Sequence, residues 1–263
     1  MRALYTAATG MMAQERNVEV IANNVANMRT NGFKRQTVHF QDLLYENQKR
    51  AGSATSDQGT QSPAGIAIGS GAKVVATPRI MTQGTISQTD RTYDLAIRGE
   101  GFFRVQLPDG RVAFTRDGGF ETDATGRITT KDGYLVDPGI TVPADAVSVS
   151  VSQTGLVSAL LPGQVAPSAL GTINMSRFIN KTGLESMGDN LFLETPGSGA
   201  PIDGTPGSEG YGNLQQGYLE ESNVNAVTEI ASMIQAQRAY ELNSKVISSA
   251  DQMLQATSNL FRG

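Results

Sequence analysis

The chain has 263 residues, of which 39% are hydrophobic and 17% charged, and its net charge is -4 at pH 7. It is too apolar for a wholly disordered chain, and its mild acidity excludes an electrostatic nucleic-acid binder. With no cysteine it can hold no disulfide framework, thiolate nucleophile or cysteine-zinc site, and no run of about 18 apolar residues offers a membrane-inserting helix.

Glycine and proline divide the chain. All 10 prolines and nearly all of the 29 glycines lie between Gly32 and Gly217. Both residue types break helices, so the two ends are free to be long helices while the middle must turn often.

The first element is a helix over residues 3–28, roughly 40 Å long at about 1.5 Å per residue. Leu4, Met11, Val18 and Val25 are spaced by sevens, and Ala7, Gln14, Ile21 and Met28 follow three later, as in a coiled-coil seam. Asn31-Gly32 supplies a left-handed stop. Asn17, Asn24 and Asn31 also recur by sevens, with Asn23 and Asn27 nearby. Asparagine is a middling helix former. The row is therefore either a solvated face or a set of side chains that fixes register between packed helices. Residues 1–30 carry Arg2 but no continuous apolar core, so no secretory signal is expected there.

Residues 46–72 are rich in Gly, Ser, Thr and Gln and are expected to form a loop or an extended arm without a core. From Lys73 the pattern turns β. Short runs at Asp94–Arg98, Phe102–Leu107, Arg111–Thr115 and Tyr134–Val136 alternate with Asp-Gly-type turns, which predicts an antiparallel all-β region. The stretch from Val147 to Val151 alternates as a half-buried strand.

The last element is a helix from about 226 to 260, with Asn225 as its N-cap. Ala226, Met233, Tyr240, Ile247, Leu254 and Phe261 are spaced by sevens, and Ile230, Ile234 and Val246 widen the stripe. The positions three later, Glu229, Ala236, Asn243, Ala250 and Thr257, are small or polar. Each helix either packs on the central region as an ordinary amphipathic helix or pairs with the other terminus or with further copies. The fold class is thus α+β: long N- and C-terminal helices, with a coiled-coil pair as one of their two open arrangements, and a central antiparallel all-β domain. The expected divisions are 1–31 for the first helix, 32–72 for the arm, 73–217 for the β domain and 218–263 for the last helix.

No catalytic constellation assembles. His39 is the only histidine and has no second histidine or cysteine to share a metal. Gly69-Ser-Gly71-Ala-Lys73 lacks the spacing of a phosphate loop. Asp109, Asp117, Asp123 and Asp132 sit in turns, where a carboxylate serves the local backbone. No catalytic, cofactor or metal residue is expected, and the chain is read as not an enzyme.

Longer motifs point elsewhere. Ile21-Ala-Asn-Asn-Val-Ala-Asn-Met-Arg-Thr-Asn-Gly-Phe-Lys-Arg35 resembles the N-terminal signature of the bacterial flagellar basal-body rod and hook family. Its residues Asn23, Asn24, Asn27, Asn31, Gly32 and Phe33 carry the motif. The C-terminal counterpart runs from Gln216 through Ser222, Asn223 and Asn225, and continues through Gln237, Arg238 and Asn243 toward Leu254. Gly99–Arg104, Thr115-Arg-Asp-Gly118 and Thr182–Ser186 are similar to the family as well.

The resemblance implies a structural polymer. The subunit would leave the cell's interior through the flagellar type III export apparatus and assemble helically into the drive shaft that crosses the periplasm. Length and arm fit a distal-rod subunit rather than a longer hook subunit or a proximal one. The implied seams are Leu4, Met11, Val18, Ile21, Val25 and Met28 in the first helix, and Ile230, Met233, Ile234, Tyr240, Ile247 and Leu254 in the last. The implied partners are further copies of the chain, proximal rod proteins, the hook protein and the surrounding bushing-ring proteins. A secreted β-domain binding module or enzyme is the competing reading.

Overall fold

The computed structural model describes residues 2–53 and 62–260. The middle of the arm and Phe261 lie outside the described residues. The chain forms two compact units, one from residues 1–25, 36–78 and 225–263, the other from 26–35 and 79–224.

The first unit contains α1 (Arg2–Ala26), β1 (His39–Asp42), β2 (Tyr45–Lys49), β3 (Ile66–Gly69), β4 (Ala72–Ala76) and α2 (Ala226–Leu260). Both expected helices form with near-expected bounds, because no glycine or proline interrupts them apart from Gly10. Asn225 caps α2 through its Oδ1, which accepts the Val227 and Thr228 N–H groups at 3.0 and 3.2 Å. Such a cap contributes about 1 kcal/mol.

The arm is more regular than its composition suggests. β1 pairs antiparallel with β4, and β2 with β3, so the segment folds back as a two-stranded ribbon. Its strands are largely exposed, in keeping with a sequence that has no core of its own. An isolated two-stranded ribbon is marginal in water. This one lies against α1 at Gly71, whose φ of 118° is open to glycine and whose backbone approaches Thr9 so closely that a Cβ would sit 2.1 Å from its Oγ1.

The second unit is the expected antiparallel β region. It comprises β5 (Ile86–Gln88), β6 (Leu95–Arg98), β7 (Phe102–Gln106), β8 (Val112–Thr115), β9 (Glu121–Thr122), β10 (Ile128–Thr129), β11 (Leu135–Val136), β12 (Ser148–Val151), β13 (Leu156–Leu160), β14 (Ser168–Thr172) and β15 (Met175–Arg177). After a short 3-10 turn follow β16 (Glu185–Gly188), β17 (Leu191–Leu193), β18 (Ile202–Gly204), β19 (Asn213–Gln216) and β20 (Tyr218–Glu220). The main sheet runs β16-β17-β8-β7-β11-β10-β9, with β15 also on β7 and β18 on β15. A second sheet is β12-β13-β14, and two further pairs join β19 to β6 and β20 to β5.

Apolar side chains from these strands meet in the interior. Leu95, Ile97, Phe103, Phe120, Ile128, Val136, Val157, Ile173, Met175 and Leu214 form the largest cluster. Phe103 and Phe120 meet edge to face at 5.0 Å. The turn carboxylates act locally: Asp109, Asp117 and Asp123 accept the N–H groups of Arg111, Gly119 and Thr125 at 3.0, 3.0 and 2.8 Å. Hydrogen bonds to Thr125 and Arg127 hold the Asp123 carboxyl below its usual range, whereas burial pushes Asp117 up.

Candidate assembly surfaces

Two arrangements bring the motif residues together, one in each unit. In the helical unit, α1 and α2 run antiparallel. Asn24 Nδ2 donates to Glu229 Oε2 at 3.0 Å, and a Cβ on Gly10 would lie 2.9 Å from Asn243 Nδ2. The same spacing of fourteen residues separates Gly10 from Asn24 and Glu229 from Asn243, so both contacts obey one register.

The face of α2 that this register turns to α1 is the small and polar row. Glu229, Ala236 and Ala250 are buried and Asn243 is half-buried. Small residues let the helix axes approach closely, and the buried polar pair fixes their alignment. Glu229 is 0% exposed and Asn24 1%. Asn24 also clasps the chain beyond its own helix. Its Nδ2 donates to the Gln36 carbonyl at 2.8 Å and its Oδ1 accepts the Gln36 N–H at 2.9 Å.

The larger apolar residues fare differently. On α1, Ile21 is buried, Leu4, Met11, Val18 and Val25 are half-buried, and Met28 is 38% exposed in the turn beyond the helix. On α2, Met233 and Ile247 are half-buried, but Ile230, Ile234, Tyr240 and Leu254 are exposed. Pairing within one chain therefore uses the small row and leaves much of the large one in solvent. Gln237 and Arg238 are exposed on α2. The small row is legible in the sequence by its own spacing of sevens, but size and polarity marked it as the less plausible seam.

In the β unit, three distant motifs converge on one buried carboxylate. Lys34 stands near the end of the N-terminal signature, Arg116 in Thr115-Arg-Asp-Gly118, and Glu220 near the start of the C-terminal one. Lys34 Nζ pairs with Glu220 Oε1 and donates to the Thr82 carbonyl at 2.8 Å. Arg116 Nη1 lies 3.2 Å from Glu220 Oε2, and its Nη2 donates to the Gly99 carbonyl at 2.8 Å. The Gly84 N–H adds a bond to Oε1 at 2.9 Å. All three charged side chains are 3% exposed or less. Burial pushes both Lys34 and Arg116 below their ordinary values, with Glu220 opposing the shift.

The remaining motif residues hold the same region. Gly32 has the left-handed φ of 70°, but α1 already ends at Ala26, so this glycine shapes the chain beyond the helix instead of stopping it; its N–H donates to the Glu220 carbonyl at 2.7 Å. Phe33 is buried beneath the Arg79 guanidinium, 5.4 Å from the ring centre. The Asn27 Oδ1 accepts the Thr30 hydroxyl at 3.2 Å, and the Asn31 carbonyl accepts from Asn190 at 3.1 Å. Asn223 accepts the Arg35 N–H at 2.7 Å and donates to the Ile80 carbonyl at 2.8 Å. The Ser222 Oγ accepts the Val224 N–H at 3.3 Å. Asn23 is exposed on α1. Lys34, Arg116 and Glu220 were not singled out by the sequence, since single charges in loop-flanking motifs carry no periodic signal.

Among the described residues no cluster of His, Cys, Asp or Glu could hold a metal, and no helix is long and apolar enough to cross a membrane. His39 is exposed on β1.

Two long terminal helices that pair through small residues, leave a large apolar row outside and flank a separate β unit define an axial assembly subunit. Comparison with known proteins agrees. Residues 4–34 match the flagella basal body rod protein family, 96–159 the flagellar hook protein FlgE/F/G D1 domain, and 215–260 the flagellar basal body rod FlgEFG protein C-terminal family. The chain is 55% identical to the flagellar basal-body rod protein FlgG of Caulobacter vibrioides, over 99% of each chain. It is 48% identical to the protein of that name from Buchnera aphidicola, over 98% of each, and 48% identical to that from Borreliella burgdorferi, over 100% of this chain and 99% of the other. The chain belongs to the flagellar basal-body rod family and is a structural subunit of the distal rod.

Proposed function

We propose that the chain polymerises helically into the drive shaft that carries torque from motor to hook and encloses the export channel. The observation that supports this is the apolar row of α2, which stays exposed after the helix pair has formed. Ile230, Ile234, Tyr240 and Leu254 are 52, 46, 43 and 40% exposed, more than a helix with no further partner would leave to water. Together with the half-buried Leu4, Met11, Val18 and Val25 they give each copy surfaces that only other copies can cover. Non-closing contacts of that kind generate a helical filament rather than a ring.

In this reading the terminal helices build the wall of the export channel, and the β unit forms the outer surface facing the bushing rings. Proximal rod proteins and the hook protein join its two ends, and the type III apparatus delivers the chain. Electron microscopy of the purified, polymerised protein tests the proposal. A straight, rigid rod with a central channel is expected. A curved, flexible filament would assign the chain to the hook instead, and a monodisperse monomer under all conditions would overturn polymer function.

A further inference from the structure

Asn31-Gly32 is the only Asn-Gly pair in the chain. Such a pair is chemically weak, because glycine has no side chain to shield its backbone nitrogen from the carboxamide before it. On losing its proton, the Gly32 nitrogen attacks Asn31 Cγ. The N–Cγ bond forms, the Cγ–Nδ2 bond breaks, and the amide nitrogen takes up a proton and leaves as ammonia. Water then opens the resulting ring at either of its carbonyls, giving aspartate or isoaspartate at position 31.

The fold needs glycine at this point and also holds it against that reaction. Gly32 has φ 70°, and a Cβ there would sit 2.5 Å from the Asp117 backbone nitrogen. Its N–H, the group that must attack, donates to the Glu220 carbonyl at 2.7 Å. On the other side of the same peptide, the Asn31 carbonyl accepts from Asn190 Nδ2 at 3.1 Å. The peptide plane is therefore clamped at both edges. Asn31 itself is only half-buried, and among the described residues no hydrogen bond holds its carboxamide. Protection thus lies with the pinned nucleophile.

We propose that Asn31-Gly32 is a site of spontaneous deamidation that the folded β unit keeps closed, so that the modification marks chains left unfolded. Isoaspartate routes the backbone through the former side chain and adds one methylene just before Gly32. The anchors that follow leave no room for such a shift. Phe33 is buried, Lys34 pairs with Glu220, and the Arg35 N–H donates to Asn223 at 2.7 Å. A chain that forms isoaspartate before folding therefore cannot seat the run from Gly32 to Arg35, and its β unit stays incomplete. All of these groups belong to the β unit, so the site is independent of how copies assemble.

Incubating the full-length protein in mildly alkaline buffer, with and without guanidinium, tests this. Trypsin cuts after Arg29 and Lys34, and the peptide from Thr30 to Lys34 reports deamidation by its gain in mass. The unfolded chain should deamidate at least about tenfold faster than the folded one, since reaction follows the population of the open state. Asn190→Gly suits the φ of 57° at that position and removes the clamp on the Asn31 carbonyl. It should speed the reaction in the folded protein and leave the unfolded rate unchanged. Once guanidinium is removed, chains that carry isoaspartate should collect in the trypsin-sensitive fraction, whereas Asn31→Asp, which keeps the backbone length, should refold. Equal rates in folded and unfolded protein overturn the closed site. Isoaspartate chains that refold as fully as fresh ones overturn its consequence.

Discussion

At the scale of single residues, Glu220 is the side chain on which most depends. It neutralises two buried cations at once, and its backbone carbonyl also receives the Gly32 N–H. Removing one partner of a buried ion pair costs about 3–5 kcal/mol, because a charge is left without compensation. Glu220→Gln strands both Lys34 and Arg116, whereas Lys34→Met leaves Glu220 still paired with Arg116. Urea unfolding should therefore show E220Q destabilised by about 3–5 kcal/mol and K34M by about 1 kcal/mol. The reverse order would show that Lys34, not Arg116, is the main counterion. The pH dependence has a definite sign. Burial lowers the folded-state value of Lys34 below its unfolded value of 10.5, so the unfolded chain binds more protons in the interval between them. Stability contributed through Lys34 therefore rises as pH climbs through that interval, and the rise should vanish in K34M.

At the scale of elements, the ribbon shows how a segment without a core becomes ordered. Its strands bury little, so its attachment depends on a few close contacts with α1. Gly71 is the closest of those described, and Arg2 of α1 adds an exposed ion pair with Glu46 of β2. Such an exposed pair contributes little. Gly71→Val combines a φ hostile to β-branched residues with a clash on Thr9, at a cost of about 1–3 kcal/mol. Trypsin should then cut after Lys49 and Arg50 on the order of tenfold faster in the full-length variant, since cleavage follows the population of the open state. The unfolding midpoint of the β unit should not change. Equal cleavage rates would mean that the ribbon is held elsewhere.

The paired helices carry the same lesson about faces. Seven-residue spacing made both helices and both rows of α2 visible in the sequence. It did not reveal which row closes within the chain. Larger apolar residues ordinarily win a seam, but here Gly10 and Ala236 permit an approach that bulky side chains would prevent. The hydrogen bond between Asn24 and Glu229 then fixes the register.

At the scale of the molecule, the two units differ in what they bury. The β unit encloses aromatic and branched side chains from many strands, whereas the helical unit buries chiefly alanines, Ile21 and a polar pair. Calorimetry of dilute protein should resolve two transitions. The first, helical one should move upward with protein concentration as copies cover one another, and the second should not move. Circular dichroism should show helix content falling across the first. A single transition independent of concentration would contradict this division.

The sequence by itself determined the terminal helices, the Asn225 cap, the β character of the middle and the local role of the turn residues Asp109, Asp117 and Asp123. Each of these depends on residues within one or two turns of each other, where spacing and backbone preference are decisive. The tertiary structure alone decided the rest. It brought Lys34, Arg116 and Glu220 together across most of the chain, folded the polar arm into a ribbon, and chose the small row of α2 over the large one. Those outcomes depend on side-chain volume and buried charge between distant segments, which no local pattern records.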